Sequence, residues 1–132
     1  MNAYASLTTL KSASYLNIAS VTDYDTQLRD LLETVSRRLD KHCKRAFYVQ
    51  SATKNFDGTK AILFLPEDLL SVTTLKTDDD GNGTYENTFA AGDYHLYPLN
   101  GFPKTRLEIN PNGDYSYFAK GISKGVEIAG LF

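Results

Sequence analysis

Phe64-Leu65-Pro66-Glu67-Asp68-Leu69-Leu70-Ser71-Val72 reads as the end of one apolar strand, a proline-led corner and the start of another strand. Just upstream, Ala61 to Leu65 is a short continuous apolar run, which predicts a strand buried on both sides. Pro66 interrupts it, and Glu67-Asp68-Leu69 is expected to form a single tight turn. Ser71 to Thr77 alternates β-branched and polar residues, as a half-buried strand does. Reading outward, Phe47 to Phe56 forms a candidate strand closed by the turn pair Asp57-Gly58. Asp78 to Thr84 reads as a hairpin loop, and Tyr85 to Phe89, Tyr94 to Tyr97, Arg106 to Ile109 and Val126 to Leu131 as further strands. Pro98 to Lys104 and Asn110 to Gly113 are loops by their Pro, Gly and Asn content.

The character of the chain changes near residue 47. Ahead of it, Ser6 is placed to cap a helix of about two turns with Leu7, Leu10 and Ala13 or Ser14 on one side. A connection over Leu16 to Thr22 leads to Asp23 or Asp25, either of which caps a long helix ending near Lys44. Leu28, Leu31, Leu32, Val35, Leu39 and Cys43 follow in steps of three and four, which predicts one buried stripe. Arg29, Asp30, Glu33, Arg37, Arg38, Asp40, Lys41 and Lys44 fall on the opposite face. The fold class is therefore α+β: a short helix and one long amphipathic helix, followed by an antiparallel sheet or small sandwich on which the helical third packs. One domain is expected over 1–132, with a helical part at 1–46 and a strand-rich part at 47–132.

At 132 residues, with 42% hydrophobic and 23% charged residues, the chain is long enough for one real core and globular in composition. Fourteen basic and 16 acidic residues give a net charge of −2, which argues against a strongly basic nucleic-acid binder. The lone cysteine, Cys43, forms no internal disulfide and no thiolate metal cage, so a reducing compartment is expected. No apolar run approaches the roughly 18 residues of a membrane span. Met1-Asn2-Ala3-Tyr4 has neither the charged start nor the apolar stretch of a signal peptide.

Chemistry-bearing clusters are few. Asp78-Asp79-Asp80-Gly81-Asn82-Gly83 alternates oxygen ligands as a calcium loop does, with Asp78, Asp80 and Asn82 as the candidate metal ligands. Position twelve of such a loop is Phe89, where a bidentate Glu is needed, and the flanks read as strands. A polar hairpin tip whose glycines supply positive φ is the preferred reading, and no cofactor is expected. His42 and Cys43 are adjacent, but helical neighbours point about 100° apart, so they make no nucleophile–base pair. Cys43 is instead expected to be a small core residue, and His95 to face solvent or an interface. Arg37, Arg38, Lys41, Lys44 and Arg45 form a basic cluster, read first as a solvated helix end and next as a contact for an acidic partner surface. Phosphate loops, nucleophile elbows and zinc-protease motifs are absent from the sequence, so no enzyme is expected.

Taken in order, Tyr4-Ala5-Ser6-Leu7-Thr8-Thr9-Leu10-Lys11, then Asp25 with Leu28-x-x-Leu31-Leu32-x-x-Val35-Ser36-x-x-Leu39-Asp40, then Cys43-Lys44-Arg45-Ala46-Phe47-Tyr48 and Phe56-Asp57-Gly58 make a recognisable series. Leu63-Phe64-Leu65-Pro66-Glu67-Asp68-Leu69-Leu70-Ser71-Val72, Tyr94-His95-Leu96-Tyr97-Pro98, Pro103-Lys104-Thr105-Arg106-Leu107-Glu108-Ile109 and Val126-Glu127-Ile128-Ala129-Gly130-Leu131-Phe132 complete it. This series resembles the head-tail connector (adaptor, or head-completion) proteins of long-tailed bacteriophages and prophages, over most of the chain. Relatives usually continue beyond the last strand motif, so the resemblance assigns no residues to a grip on the head side.

The resemblance implies a structural virion protein at the head-tail interface, made in the bacterial cytoplasm. It implies a homo-oligomeric ring, commonly of twelve copies, docked under the portal protein. Such a ring extends the DNA channel without sequence-specific contact and receives the next connector (stopper) or tail protein; no membrane is involved. Interface residues expected on this reading are Arg37, Arg38, Lys41, Lys44 and Arg45 at the helix end, Asn100, Phe102 and Lys104 in a loop, and Leu131 and Phe132 at the last strand. Neighbouring long helices are expected to stack side by side, with the loops near 78–84 and 100–104 turned toward partners or the channel. The alternatives are a monomeric divalent-cation- or ligand-binding module using Asp78 to Gly83, and a small enzyme whose site forms only in three dimensions.

Overall fold

The computed structural model describes residues 2–132. They divide into two compact units, Met1–Tyr48 and Val49–Phe132, and the fold is α+β as expected, with helices first and antiparallel strands after.

In the first unit, Ser6 caps α1 (Leu7–Lys11), its hydroxyl accepting the Thr9 amide at 3.0 Å. The helix stops earlier than two turns, because Ser12 is extended. Lys11 is buried; its ammonium donates to the Asp25 carboxylate at 2.6 Å and to the Val21 carbonyl, so the connecting loop wraps around it. Asp25 thus opens α2 (Asp25–Cys43) as its first helical residue rather than as its cap; Tyr24 holds the cap position without a side-chain bond. Lys44, left-handed at φ 52°, ends the helix.

The expected burial of the α2 stripe is overturned. Leu31 is 55% exposed, Val35 and Leu39 each 47%, and Cys43 is exposed rather than a core residue. The one buried α2 residue is Ser36. The cause is polar: the N-terminal segment binds the other side of the helix. Tyr4 N–H donates to Ser36 Oγ at 3.0 Å, Asn2 N–H to Glu33 at 3.1 Å, the Tyr4 hydroxyl to Asp40, and Arg37 to the Asn2 carbonyl at 2.7 Å. Among the described residues of this unit, no hydrophobic side chain is buried. No helix among the described residues is long and apolar enough to cross a membrane.

The second unit holds seven strands: β1 (Ser51–Phe56), β2 (Ile62–Leu69), β3 (Ser71–Thr77), β4 (Asn87–Phe89), β5 (Tyr94–Tyr97), β6 (Lys104–Ile109) and β7 (Val126–Leu131). They form a four-stranded sheet, β1-β7-β3-β4, and a three-stranded sheet, β2-β6-β5. All pairings are antiparallel, and the last strand, β7, lies between β1 and β3. Leu63, Leu69, Leu107 and Ile109 of the smaller sheet share one core with Leu75, Phe89, Val126 and Ile128 of the larger one, completed by Phe118 and Phe132. This is the small sandwich of the sequence reading.

Two strand expectations change. β2 is not buried on both sides: Leu63 is buried while Ile62 and Phe64 are exposed. Nor does it turn at Pro66. The strand runs on to Leu69, and its register with β6 shifts between Phe64 and Leu69. Proline lacks the ladder donor, and β2 is an edge strand, where that loss is tolerated. β1 and β4 also begin later than expected, at Ser51 and Asn87. At Gly130, a Cβ would stand 2.1 Å from the Ser71 carbonyl oxygen, so glycine permits the close approach of β7 to β3.

Candidate interaction surfaces

The helical unit presents the α2 stripe and a basic end. Of the expected basic residues, Arg37 is engaged within its own unit: it lies 3.4 Å from Asp40, donates to Asn2, and sits 4.5 Å from the Tyr48 ring centre. These contacts brace α2. Arg38, Lys41 and Lys44 are exposed, and Arg45 is exposed with its guanidinium 5.6 Å from the Phe47 ring centre. His42 and Cys43 are both exposed on successive positions of the last turn.

The acidic loop between β3 and β4 is built as a self-capped turn. The two Asp78 oxygens accept the amides of Gly81 and Gly83, each at 2.7 Å. Asp80 accepts the Asn82 amide at 3.0 Å and its side-chain nitrogen at 2.8 Å, and Asn82 Oδ1 accepts the Thr84 amide at 2.7 Å. Gly81 and Gly83 take φ of 77° and 87°. Burial alone acts to raise the Asp78 carboxyl pKa, but the Gly83 and Gly81 amides and further bonds outweigh it, and the net shift is downward. The three candidate ligands therefore spend their oxygens on the turn. Glu86, which the sequence reading did not include, approaches from across the hairpin: Asp78, Asp80 and Glu86 each bring one carboxylate oxygen within 4.8 Å of the others.

The third surface is the outer face of the three-stranded sheet. Cross-strand register sets two rows on it, Phe64–Arg106–Tyr97 and Ile62–Glu108–His95. Arg106 donates to Glu108 at 2.7 Å and lies 4.6 Å from the Tyr97 ring centre. Phe64 is 70% exposed and Ile62 43%; His95 faces solvent, as alternation predicts. In the loop joining β5 to β6, Phe102 and Leu99 are 70% and 60% exposed, and Asn100 is exposed. Two expected interface residues are corrected. Lys104 is buried, its ammonium donating to the Pro98 carbonyl at 2.6 Å and the Leu99 carbonyl at 3.1 Å, where it holds that loop. Phe132 is buried in the core and pairs with Gln50 through both backbone groups, while Leu131 beside it is 39% exposed. The sequence reading missed Ile62 and Phe64. The signal was the alternation of Arg106 and Glu108 with Leu107 on the neighbouring strand, which marks this face as solvent-facing.

No family model, curated protein or solved structure matches this chain.

Proposed function

We propose that the chain is a structural virion protein: a head-tail connector subunit that forms a ring under the portal, extends the DNA channel and receives the next connector or tail component. The resemblance in motif order supports this reading, and one observation carries it: the apolar stripe of α2, with Leu31, Val35 and Leu39 about half exposed, in a unit with no buried hydrophobic residue among the described ones. Such a helix gains its stability from whatever covers the stripe. Exposed aromatics on the outer sheet face and on the β5–β6 loop suit a subunit with several neighbours. A net charge of −2 suits a channel wall that does not hold DNA.

Light scattering and negative-stain imaging test it, on the chain alone and mixed with a portal protein from the same genome. Rings, free or seated on the portal, are expected. A chain that stays monomeric and unbound with the portal present overturns the reading. A second reading, a monomeric divalent-cation module, draws on the gathering of Asp78, Asp80 and Glu86. It requires a calcium-dependent rise in Tm in a strict monomer.

A further inference from the structure

We infer that the apolar stripe of α2 docks on the outer face of the three-stranded sheet of a second copy of this chain, a head-to-tail contact that repeats around the ring; this deepens the connector reading and rests on it. Three observations point there. First, the chain carries two unlike apolar faces, both open: Leu31, Val35 and Leu39 on the helix, and Ile62 and Phe64 on the sheet, at 43–70% exposure. Two different patches that satisfy each other on successive copies generate a heterologous array, where a single patch would generate a twofold dimer. Second, the charges of the two units are opposite. Met1–Tyr48 holds seven basic and five acidic residues, net +2; Val49–Phe132 holds seven basic and 11 acidic, net −4. Helical unit against helical unit, or strand unit against strand unit, sets like charge against like. Helical unit against strand unit is the complementary pairing. Third, positive charge flanks the stripe: Arg38 is exposed and within a turn of Val35 and Leu39.

Directed crosslinking decides it. In a Cys43→Ser background, Val35→Cys and Phe64→Cys are made as separate chains and mixed, alone and on the portal, under mild oxidation. Both positions are exposed, so both variants are expected to fold. The expected product is a disulfide-linked pair of one chain of each kind, well above the yield of either variant alone. Linked Val35→Cys homodimers as the main product establish twofold helix pairing and overturn the inference. An internal disulfide in the double variant, with no linked pairs in the mixture, shows the stripe closing on its own chain and also overturns it. Rings or portal binding without the mixed crosslink overturn the contact and leave the connector reading standing; absence of both rings and portal binding removes that reading as well. As a second measurement, Val35→Asp weakens self-association about tenfold or more, because burial of a branched aliphatic side chain is worth at least a decade in affinity. An unchanged oligomer in that variant overturns the contact.

Discussion

Lys104 and Arg106 lie on the same side of β6 and end in different surroundings. Arg106 stays half-exposed between Tyr97 and Glu108, whereas Lys104 is covered by the loop whose carbonyls it binds. Replacing it, as Lys104→Met, keeps the stem and removes the donor to two carbonyls. The expected loss is about 1.5–3 kcal/mol, the net contribution of hydrogen bonds made by a charged group, read by urea unfolding. Asp78 gives a pH signature. Its carboxyl is held below the ordinary value of 3.8, burial opposing and backbone amides prevailing. A lowered folded-state pKa stabilises the fold fully above the unfolded value, and the contribution is lost as pH falls through the folded value. The stability gap between the chain and Asp78→Asn is therefore expected to be constant from pH 7 to about 5 and to shrink below 3.8. A gap that widens in acid contradicts the assignment.

The elements themselves show what sequence pattern carries and what it leaves open. The bounds of α2, β3, β5 and β7 followed from period, caps and turn residues, because those are local properties. Burial of the α2 stripe did not follow, because period says that a face needs cover and says nothing of what covers it. The N-terminal segment instead took the polar side through Ser36, Glu33 and Asp40. β2 failed for a different reason: four apolar residues in a row hide the alternation that its neighbour β6 displays. Of the candidate surfaces, the basic helix end and the β5–β6 loop were legible as exposed polar or aromatic clusters; the Ile62–Phe64 face was not. These differences make opposite forecasts for apolar residues of the two units. Leu39→Gln, on the open stripe, is expected to change the unfolding free energy of the dilute chain by no more than about 0.5–1 kcal/mol. Leu107→Ala, at 0% exposure in the sandwich, is expected to cost about 2–5 kcal/mol. Denaturation curves for the two variants at one protein concentration make the comparison, and equal losses would show that the stripe is covered within the chain.

At the scale of the whole molecule, the division into two units is also a division of stability. Every buried hydrophobic residue among the described ones belongs to Val49–Phe132, which holds two paired sheets and an aromatic stack of Phe89 on Tyr115 and Phe118. A domain of that size with a continuous core is sufficient to fold alone. The first unit is held by side-chain to backbone bonds at Tyr4, Ser36, Arg37 and Lys11 and by a helix of 19 residues with an open apolar face. Hydrogen bonds exchanged with water contribute about 1 kcal/mol each, and a helix draws most of its stability from packing of its apolar face, which here is open. The Val49–Phe132 fragment is therefore expected to unfold in one cooperative, sigmoidal transition in urea, with near-ultraviolet dichroism reporting its packed tyrosines. The Met1–Tyr48 fragment is expected to show weak, non-cooperative helicity that rises on addition of whatever binds the stripe. A sharp thermal transition in the isolated helical fragment would mean that it is self-sufficient and that its exposed leucines and valine require no partner.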